Sequence, residues 1–240
     1  IRELLNNGLL HGDILTVGDQ RGMAQYTDVP ALKDDQLQWV SGPETSRDEA
    51  VISSVAQPFA TGGGLHVMHG NLGRGVSKIS AVAEQHQIVT APAMVFDDQL
   101  DVVAAFKRGE LEKDVIVVLR FQGPKANGMP ELHKLTPILG LLQDRGFHVA
   151  LITDGRMSGA SGKVPSAIHM CPECIDGGPL AKVRDGDIIV LNTQTGEVNV
   201  QVDKDIFDAR EAEPNHATGH HFGMGREMFG AMRAQASSAE

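Results

Sequence analysis

Two short apolar runs constrain the fold of this chain more than any other feature. Residues 115–119, VIVVL, show no polar–apolar alternation and are mostly β-branched, as expected for a strand buried on both faces. Residues 148–153, HVALIT, form a second candidate strand, and a helix is predicted between the two at 130–145, where leucines recur at helical spacing. Each run ends in a loop rich in glycine and polar side chains, which is a common way to build a binding site on a rigid element.

The remaining patterns mix strands with helices, which favours an α/β domain with a β-rich core over a clean doubly wound sheet. The other predicted elements are a helix at 1–10, a strand at 13–18, a polar surface segment at 19–47, helices at 47–57 and 98–108, a hairpin of strands 187–191 and 197–202, and a helical tail at 223–236. Met224, Met228 and Met232 of the tail are predicted to pack in the core, since methionine fills gaps readily. Residues 1–12 are predicted to end a helix from a preceding domain or linker, and residues 13–240 to form the main domain.

Charge and composition exclude several classes of protein. A net charge of −10 argues against a nucleic-acid or anionic-membrane partner, which would favour a basic surface. No apolar run approaches the roughly 20 residues of a membrane span. Two cysteines are too few for a disulfide scaffold, so a reducing cytoplasm is expected. The charged start of the chain lacks the features of a secretory signal, and Ile1 in place of Met predicts that the chain begins part-way along a longer protein.

The loop at residues 154–163 has the highest concentration of charged and hydroxyl side chains that could form a site. It holds an acid, two cations and two hydroxyls: Asp154, Arg156, Lys163, Ser158 and Ser161. Its spacing fits neither a P-loop nor the Gly-x-Ser-x-Gly elbow, since an arginine stands two residues before Ser158. Lys163 is expected near a helix start, where an anion would be welcome. Three glycines are expected to allow positive φ and close approach to a ligand: Gly155, Gly159 and Gly162. A binding loop and a polar surface turn both stay open on this pattern.

Two other loops carry candidate ligands. Glu131 stands where the first strand gives way to the helix, so it could bind a hard cation such as Mg²⁺ through oxygen. It could equally complement the helix dipole only. Residues 70–75, GNLGRG, could form a backbone nest for an anion with help from Arg74, or a glycine-rich surface turn.

Cys171 and Cys174 form a C-x-x-C pair. No second pair exists in the chain, so a four-cysteine zinc site within it is excluded. His169 could add a third ligand, but the surroundings of a thioredoxin-type dithiol are absent. Two ordinary thiols are therefore the favoured interpretation.

Three segments resemble the dihydroxy-acid/6-phosphogluconate dehydratase family. They are residues 153–165, TDGRMSGASGKVP, residues 121–134, FQGPKANGMPELHK, and residues 70–74, GNLGR. The continuation at 161–165, SGKVP, is similar to the 6-phosphogluconate dehydratase branch. The resemblance extends over nearly the whole chain and corresponds to the C-terminal portion of such enzymes.

The resemblance implies a hydro-lyase that removes the 2-proton and the 3-hydroxyl of a 2,3-dihydroxy acid, giving a 2-keto acid. For this branch it implies conversion of 6-phospho-D-gluconate to 2-dehydro-3-deoxy-6-phosphogluconate, in the Entner–Doudoroff pathway of gluconate metabolism. It also implies an iron–sulfur cluster of the 4Fe–4S kind, with its ligands in an N-terminal domain, and a nearby Mg²⁺. The implied fold is a swivelling β/β/α-type domain with a β-barrel-like core and flanking helices, and the implied assembly is a cytoplasmic homodimer.

The resemblance also implies roles for single residues. Ser158 matches the family's proposed base, and Glu131 matches its metal-binding glutamate. A free serine hydroxyl is far too weakly acidic to ionise near pH 7, so Ser158 needs a cation such as a metal, the cluster or Arg156 beside it. Ser161 and Lys163 distinguish this branch and are expected to bind the 6-phosphate. The expected substrate contacts are Arg156, Ser161, Lys163, Asn71 and Arg74.

Two other functions stay open: a dehydratase for another sugar acid or 2,3-dihydroxy acid, and a non-catalytic domain that binds a small anion. The expected partners are a phosphorylated sugar acid and the N-terminal domain of the same protein, with no nucleic acid and no membrane. Because the cluster cysteines lie outside the chain, the chain alone is predicted to fold without catalysing dehydration.

Overall fold

The computed structural model separates the chain into two units, residues 1–62 and 63–240. The described residues are 1–18, 22–60, 62–158, 162–216, 222–223 and 225–239. No helix among them is long and apolar enough to span a bilayer. The predicted boundary at residue 12 is not tested by this division and stays a prediction.

The first unit contains helix α1 (Arg2–Asn6) and an antiparallel hairpin of β1 (Asp28–Lys33) and β2 (Gln36–Ser41). The hairpin lies in the segment that was predicted to be irregular. The strand predicted at 13–18 and the helix predicted at 47–57 are wrong, since those residues form turns, bends and irregular chain. Nearly every hairpin residue is exposed, and the short alternation of Leu37 and Trp39 with glutamines was not interpreted as a strand.

The second unit is built around a barrel, as predicted. Within the described part of the chain, eight strands close it in the order β10-β3-β4-β8-β7-β6-β5-β9. Their bounds are β3 Leu65–Gly70, β4 Gly73–Lys78, β5 Ile88–Phe96, β6 Val115–Leu119, β7 Val149–Thr153, β8 Ser166–Cys171, β9 Ile188–Asn192 and β10 Glu197–Val200. Strands β5, β6, β7 and β8 run parallel to their neighbours in that series, and the predicted hairpin of β9 and β10 is confirmed.

The two apolar runs are β6 and β7, and both are buried on both faces. Ile116 and Val118 of β6 pack inside the barrel. Val115, Val117 and Leu119 pack outward, in a second cluster with helices α2 (Gln99–Lys107) and α4 (Leu135–Asp144). Each such side chain stabilises the fold by roughly 1.5–3 kcal/mol through its burial. The remaining helices are α3 (Pro124–Asn127), α5 (Lys204–Asp208) and α6 (Gly230–Gln235).

Two helix predictions needed correction. The helix expected from residue 130 begins at Leu135, because Glu131 forms a β-bridge with Arg156 and cannot also enter the helix. The methionines of the tail are not core residues: Met228 is 79% exposed and Met232 is 67% exposed. Met224 lies outside the described residues. The helix predicted at 98–108 is confirmed as α2, which the Asp98 side chain caps by accepting from the backbone N–H of Leu100.

The parallel pairing of β6 with β7 places the site. Val118 and Leu119 lie opposite Ile152 and Thr153, so the two strands end at the same edge of the barrel. The loops that follow them are therefore neighbours, although they are far apart in sequence. In parallel sheets this carboxyl edge is where ligands bind.

Candidate functional site

Glu131, Arg156 and Ser158 meet where these two loops cross. The Oε1 of Glu131 accepts from the backbone N–H of Ser158 at 2.7 Å, and its Oε2 accepts from Nη1 of Arg156 at 2.9 Å. Nε of Arg156 also donates to the carbonyl oxygen of Met129 at 2.9 Å. The Glu131 side chain keeps 34% of its surface exposed, so a ligand can reach it. We call Glu131, Arg156 and Ser158 the loop clamp.

Close backbone packing supports the clamp. The N–H of Leu132 donates to the carbonyl oxygen of Arg156 at 3.3 Å. A Cβ at Gly155 would lie only 2.6 Å from Cβ of Gln122, so any side chain there would push the loops apart. The expected positive φ is wrong at Gly155 and Gly162. Gly155 serves close packing instead, whereas a Cβ at Gly162 would meet only ordinary contacts. Gly159 lies outside the described residues.

Asp154 fixes the base of the same loop from inside the protein. Its carboxylate is fully buried and accepts from the backbone N–H groups of Gln122 at 2.8 Å and Cys174 at 3.1 Å. Burial raises the pKa of Asp154, and these hydrogen bonds partly offset that rise. Asp154 thus ties the loop after β7 to the turns after β6 and β8, and it does not face the surface.

The cysteines behave as ordinary buried thiols. Cys171 and Cys174 are buried and form no disulfide, and burial raises the pKa of Cys174 well above its ordinary value, with the nearby Asp154 carboxylate adding to the rise. Glu173 is also fully buried, and burial raises its pKa too. Metal and cluster ligation needs thiolates, which this environment disfavours. Across the described ranges, no three His, Cys, Asp or Glu side chains are grouped so as to hold a metal ion.

Lys78 is a neighbour of Ser158 that the sequence did not reveal. It ends β4 and lines a small cavity of about 20 Å³ together with Met157, Ser158 and Gly162. Strand β4 reaches this loop only through β8, which lies between β4 and β7 in the barrel. Such a neighbour cannot be read from sequence spacing, because it depends on the order of strands around the barrel.

His169 is a second residue whose place was missed. On the sequence it was considered only as a third ligand beside the cysteines. In the structure its backbone is left-handed, with φ of 55°, and its N–H donates to the carbonyl oxygen of Gly155 at 2.9 Å. Burial lowers the pKa of His169, and the positive charge of Arg156 lowers it further. A neutral imidazole therefore stands beside the clamp, at a backbone position of the strained kind that often marks functional sites.

Lys163 lies over α4. Its Nζ contacts Oδ1 of Asp144 at 2.5 Å, and its carbonyl oxygen accepts from Nε2 of Gln143 at 3.3 Å. The expected helix start after Lys163 is wrong, because the chain continues into β8. Ser161 lies outside the described residues. Phosphate binding by Ser161 and Lys163 stays a prediction.

Asn71 occupies the tight turn between β3 and β4. Its side chain donates to the carbonyl oxygen of Val200 at 2.8 Å and accepts from the N–H of Val200 at 2.7 Å, which fastens the turn to β10. Arg74 is an exposed residue of β4. The structure gives Asn71 a bracing role, and contact of Asn71 or Arg74 with substrate stays a prediction.

The chain matches a family model described as the dihydroxy-acid/6-phosphogluconate dehydratase C-terminal domain over residues 50–240. It is similar to the phosphogluconate dehydratase of Pseudomonas aeruginosa, with 58% identity over the whole chain, which covers 39% of that protein. The phosphogluconate dehydratase of Escherichia coli strain K12 is 55% identical, again over the whole chain and 40% of that protein. A dihydroxy-acid dehydratase of Ruminiclostridium cellulolyticum is 41% identical over 65% of the chain and 28% of that protein. The chain thus spans about two-fifths of the length of the first two relatives.

Proposed function

The chain belongs to the dihydroxy-acid/6-phosphogluconate dehydratase family, and on that basis we propose that it forms the C-terminal domain of a hydro-lyase acting on 6-phospho-D-gluconate. The reaction yields 2-dehydro-3-deoxy-6-phosphogluconate and water. The observation that carries the proposal is the loop clamp, which joins the Glu131 carboxylate, the Arg156 guanidinium and the backbone N–H of Ser158 in the segments that resemble the family.

Ser158 is the proposed proton acceptor. The C2 hydrogen leaves as a proton to the Oγ alkoxide of Ser158, the C3 hydroxyl leaves with its bonding electrons, and the resulting enol tautomerises to the 2-keto acid. Return of the proton from Ser158 to the departing hydroxide gives water and restores the alkoxide. A serine is a useful base only where positive charge stabilises its alkoxide. Lys78 lines the same small cavity as Ser158, and Arg156 stands two residues away in the same loop, so these are the two cations that we assign to stabilising the alkoxide.

Glu131 is the proposed ligand of a divalent cation. Its partly exposed carboxylate is a hard oxygen donor, and Mg²⁺ typically takes only one or two carboxylates alongside water and substrate. A single carboxylate from this chain fits that pattern. When bound, the cation supplies Lewis-acid polarisation of a substrate oxygen. In its absence Arg156 holds Glu131 in place.

The iron–sulfur cluster does not fit the residues of this chain. Cys171 and Cys174 are buried, and the environment of Cys174 disfavours its thiolate. We therefore place the cluster in the N-terminal domain of the same protein, as the family resemblance implies, and assign none of its chemistry to this chain. A cytoplasmic homodimer is part of the same proposal.

The test is turnover by the full-length protein, prepared anaerobically, with 6-phospho-D-gluconate and 2,3-dihydroxyisovalerate as competing substrates. Selective formation of 2-dehydro-3-deoxy-6-phosphogluconate is the expected result. Preference for the unphosphorylated acid would favour a dihydroxy-acid dehydratase. The 41% identity to such an enzyme supports this as the alternative. Binding of the acids without turnover would favour a non-catalytic anion-binding domain. The chain alone is expected to be inactive, and dehydration by it would contradict the placement of the cluster.

A further inference from the structure

A cavity of about 440 Å³ opens beside the loop clamp. One wall is the loop after β6, with Gly128 and Met129, and the other is the C-terminal tail, with Arg226, Phe229 and Arg233. The volume is in the usual range for small-molecule sites. Two arginines and a phenylalanine thus line one space, in a chain whose net charge is −10.

Hydrogen bonds to the protein position both arginine side chains. Nη2 of Arg226 donates to the side-chain oxygen of Asn127 and, at 3.4 Å, to the carbonyl oxygen of Asn127. Asn127 in turn donates to Oε1 of Gln122 at 3.0 Å, so Arg226 is anchored to the turn after β6. Nη1 of Arg233 donates to the carbonyl oxygen of Arg226 at 3.2 Å. Arg233 pairs with no carboxylate of the described residues, and its charge remains available to an anion.

The cavity is a short distance from the proposed reaction centre. Met129 lines the cavity, and its carbonyl oxygen accepts from Nε of Arg156 in the clamp. Met129 precedes Glu131 by two positions, so their Cα atoms are within about 7 Å. In an extended 6-phosphogluconate, six bonds separate C2 from phosphorus, which is also a span of about 7 Å.

We propose that this cavity binds the phosphate group of the substrate, with Arg226 and Arg233 as its cationic contacts. The inference rests on the proposed function, because it assumes a phosphorylated sugar acid. Planar guanidinium groups match phosphate oxygens in pairs of hydrogen bonds. Lys163 is the competing candidate, but its ammonium lies over α4 against Asp144.

The experiment compares Arg233→Gln, Lys163→Gln and Arg108→Gln in the full-length enzyme. Arg108→Gln is a matched control, since it removes a charge of the same kind from an exposed pair with Glu110. Competitive inhibition constants are measured for inorganic phosphate and for D-gluconate, together with KM and kcat for 6-phospho-D-gluconate. Binding of inorganic phosphate is followed independently by ³¹P NMR, which needs no turnover.

For Arg233→Gln, we expect KM for 6-phospho-D-gluconate and the inhibition constant of phosphate to rise about 10- to 100-fold. The inhibition constant of D-gluconate should stay within twofold of its wild-type value. Arg108→Gln should leave KM, kcat and both inhibition constants unchanged. The inference would be overturned if Arg233→Gln raised the inhibition constants of phosphate and D-gluconate equally. It would also be overturned if only Lys163→Gln raised the inhibition constant of phosphate. Arg233→Lys, which keeps the charge, should recover part of the affinity, and this separates a lost contact from a misfolded tail.

Failure of the proposed function gives a different result. In that case the wild-type enzyme does not dehydrate 6-phospho-D-gluconate, whatever the variants do. The cavity would still be shown to bind phosphate if the NMR signal of inorganic phosphate responds to wild type and not to Arg233→Gln. If turnover is intact and neither inhibition nor NMR changes in Arg233→Gln, the cavity inference alone is wrong.

Discussion

The ion pair between Arg156 and Glu131 should control activity far more than stability. In Arg156→Gln, the pair with Glu131 is lost, and both side chains are too exposed, at 49% and 34%, for the pair to contribute more than about 1 kcal/mol to folding. The bond from Nε to the carbonyl oxygen of Met129 adds about 1 kcal/mol. The free energy of unfolding should therefore fall by about 1–2 kcal/mol.

Catalysis should suffer more, because the pair fixes the carboxylate that also accepts from the N–H of Ser158. Misplacement of a reacting group by 1 Å can cost about 100-fold. We expect kcat/KM of Arg156→Gln to fall about 100-fold, which corresponds to about 2.7 kcal/mol of transition-state stabilisation.

The assay is a double-mutant cycle of Arg156→Gln and Glu131→Gln in the full-length enzyme, read by kcat/KM and by urea unfolding. If the pair acts as one unit, the second substitution should add little to the loss of kcat/KM caused by the first. The coupling energy between the two side chains should then exceed about 1 kcal/mol. Arg145→Gln is the control, since it breaks a similarly exposed pair with Glu112 on the outer surface and should leave kcat/KM unchanged. Additivity within about 0.3–0.5 kcal/mol would refute the clamp as a working unit.

Three further predictions follow from single contacts. Ser158→Ala should lower kcat by about 10²–10⁴-fold with little change in KM, measured by steady-state kinetics, and an active variant would remove Ser158 from the reaction. Asn71→Ala should lower the free energy of unfolding by about 1–3 kcal/mol through its two bonds to Val200, and a selective rise in KM would instead reveal a substrate contact. Burial opposes ionisation of Asp187, but the hydrogen bond from Arg210 prevails and lowers the pKa of Asp187. The pair therefore contributes its full stability above the unfolded pKa of about 3.9, and this contribution is lost as pH falls through the folded pKa. Arg210→Gln should reduce stability by about 3 kcal/mol near pH 7 and flatten that acid-side loss in unfolding experiments, and an unchanged pH profile would contradict the assignment.

Much of the barrel was predictable, because the apolar composition of its central strands indicates that they are buried. Residues 115–119 and 149–153 are apolar on both faces, as expected for strands at the centre of an α/β domain. The β1–β2 hairpin was missed because its residues are exposed on both faces. The helix around residue 135 was placed too early because a contact with Arg156, distant in sequence, holds Glu131 out of it.

Some residues of the candidate site could likewise be selected from the sequence, and others could not. Glu131 and Ser158 were selected through the family resemblance, and parallel strands bring their loops together. Lys78 was missed because its position depends on the order of strands around the barrel. Arg226 was missed because the methionines of its tail predicted core packing, and no pattern indicated its hydrogen bond to Asn127 in the loop after β6.

The loop clamp also bears on how such a protein is assembled. Glu131 already has a counter-charge from its own chain, since Nη1 of Arg156 donates to its Oε2. If Glu131 binds the divalent cation proposed above, that cation would compete with Arg156 for the same carboxylate. The affinity of Glu131 for the metal ion would then be a difference between its interactions with two cations, which would favour reversible loading.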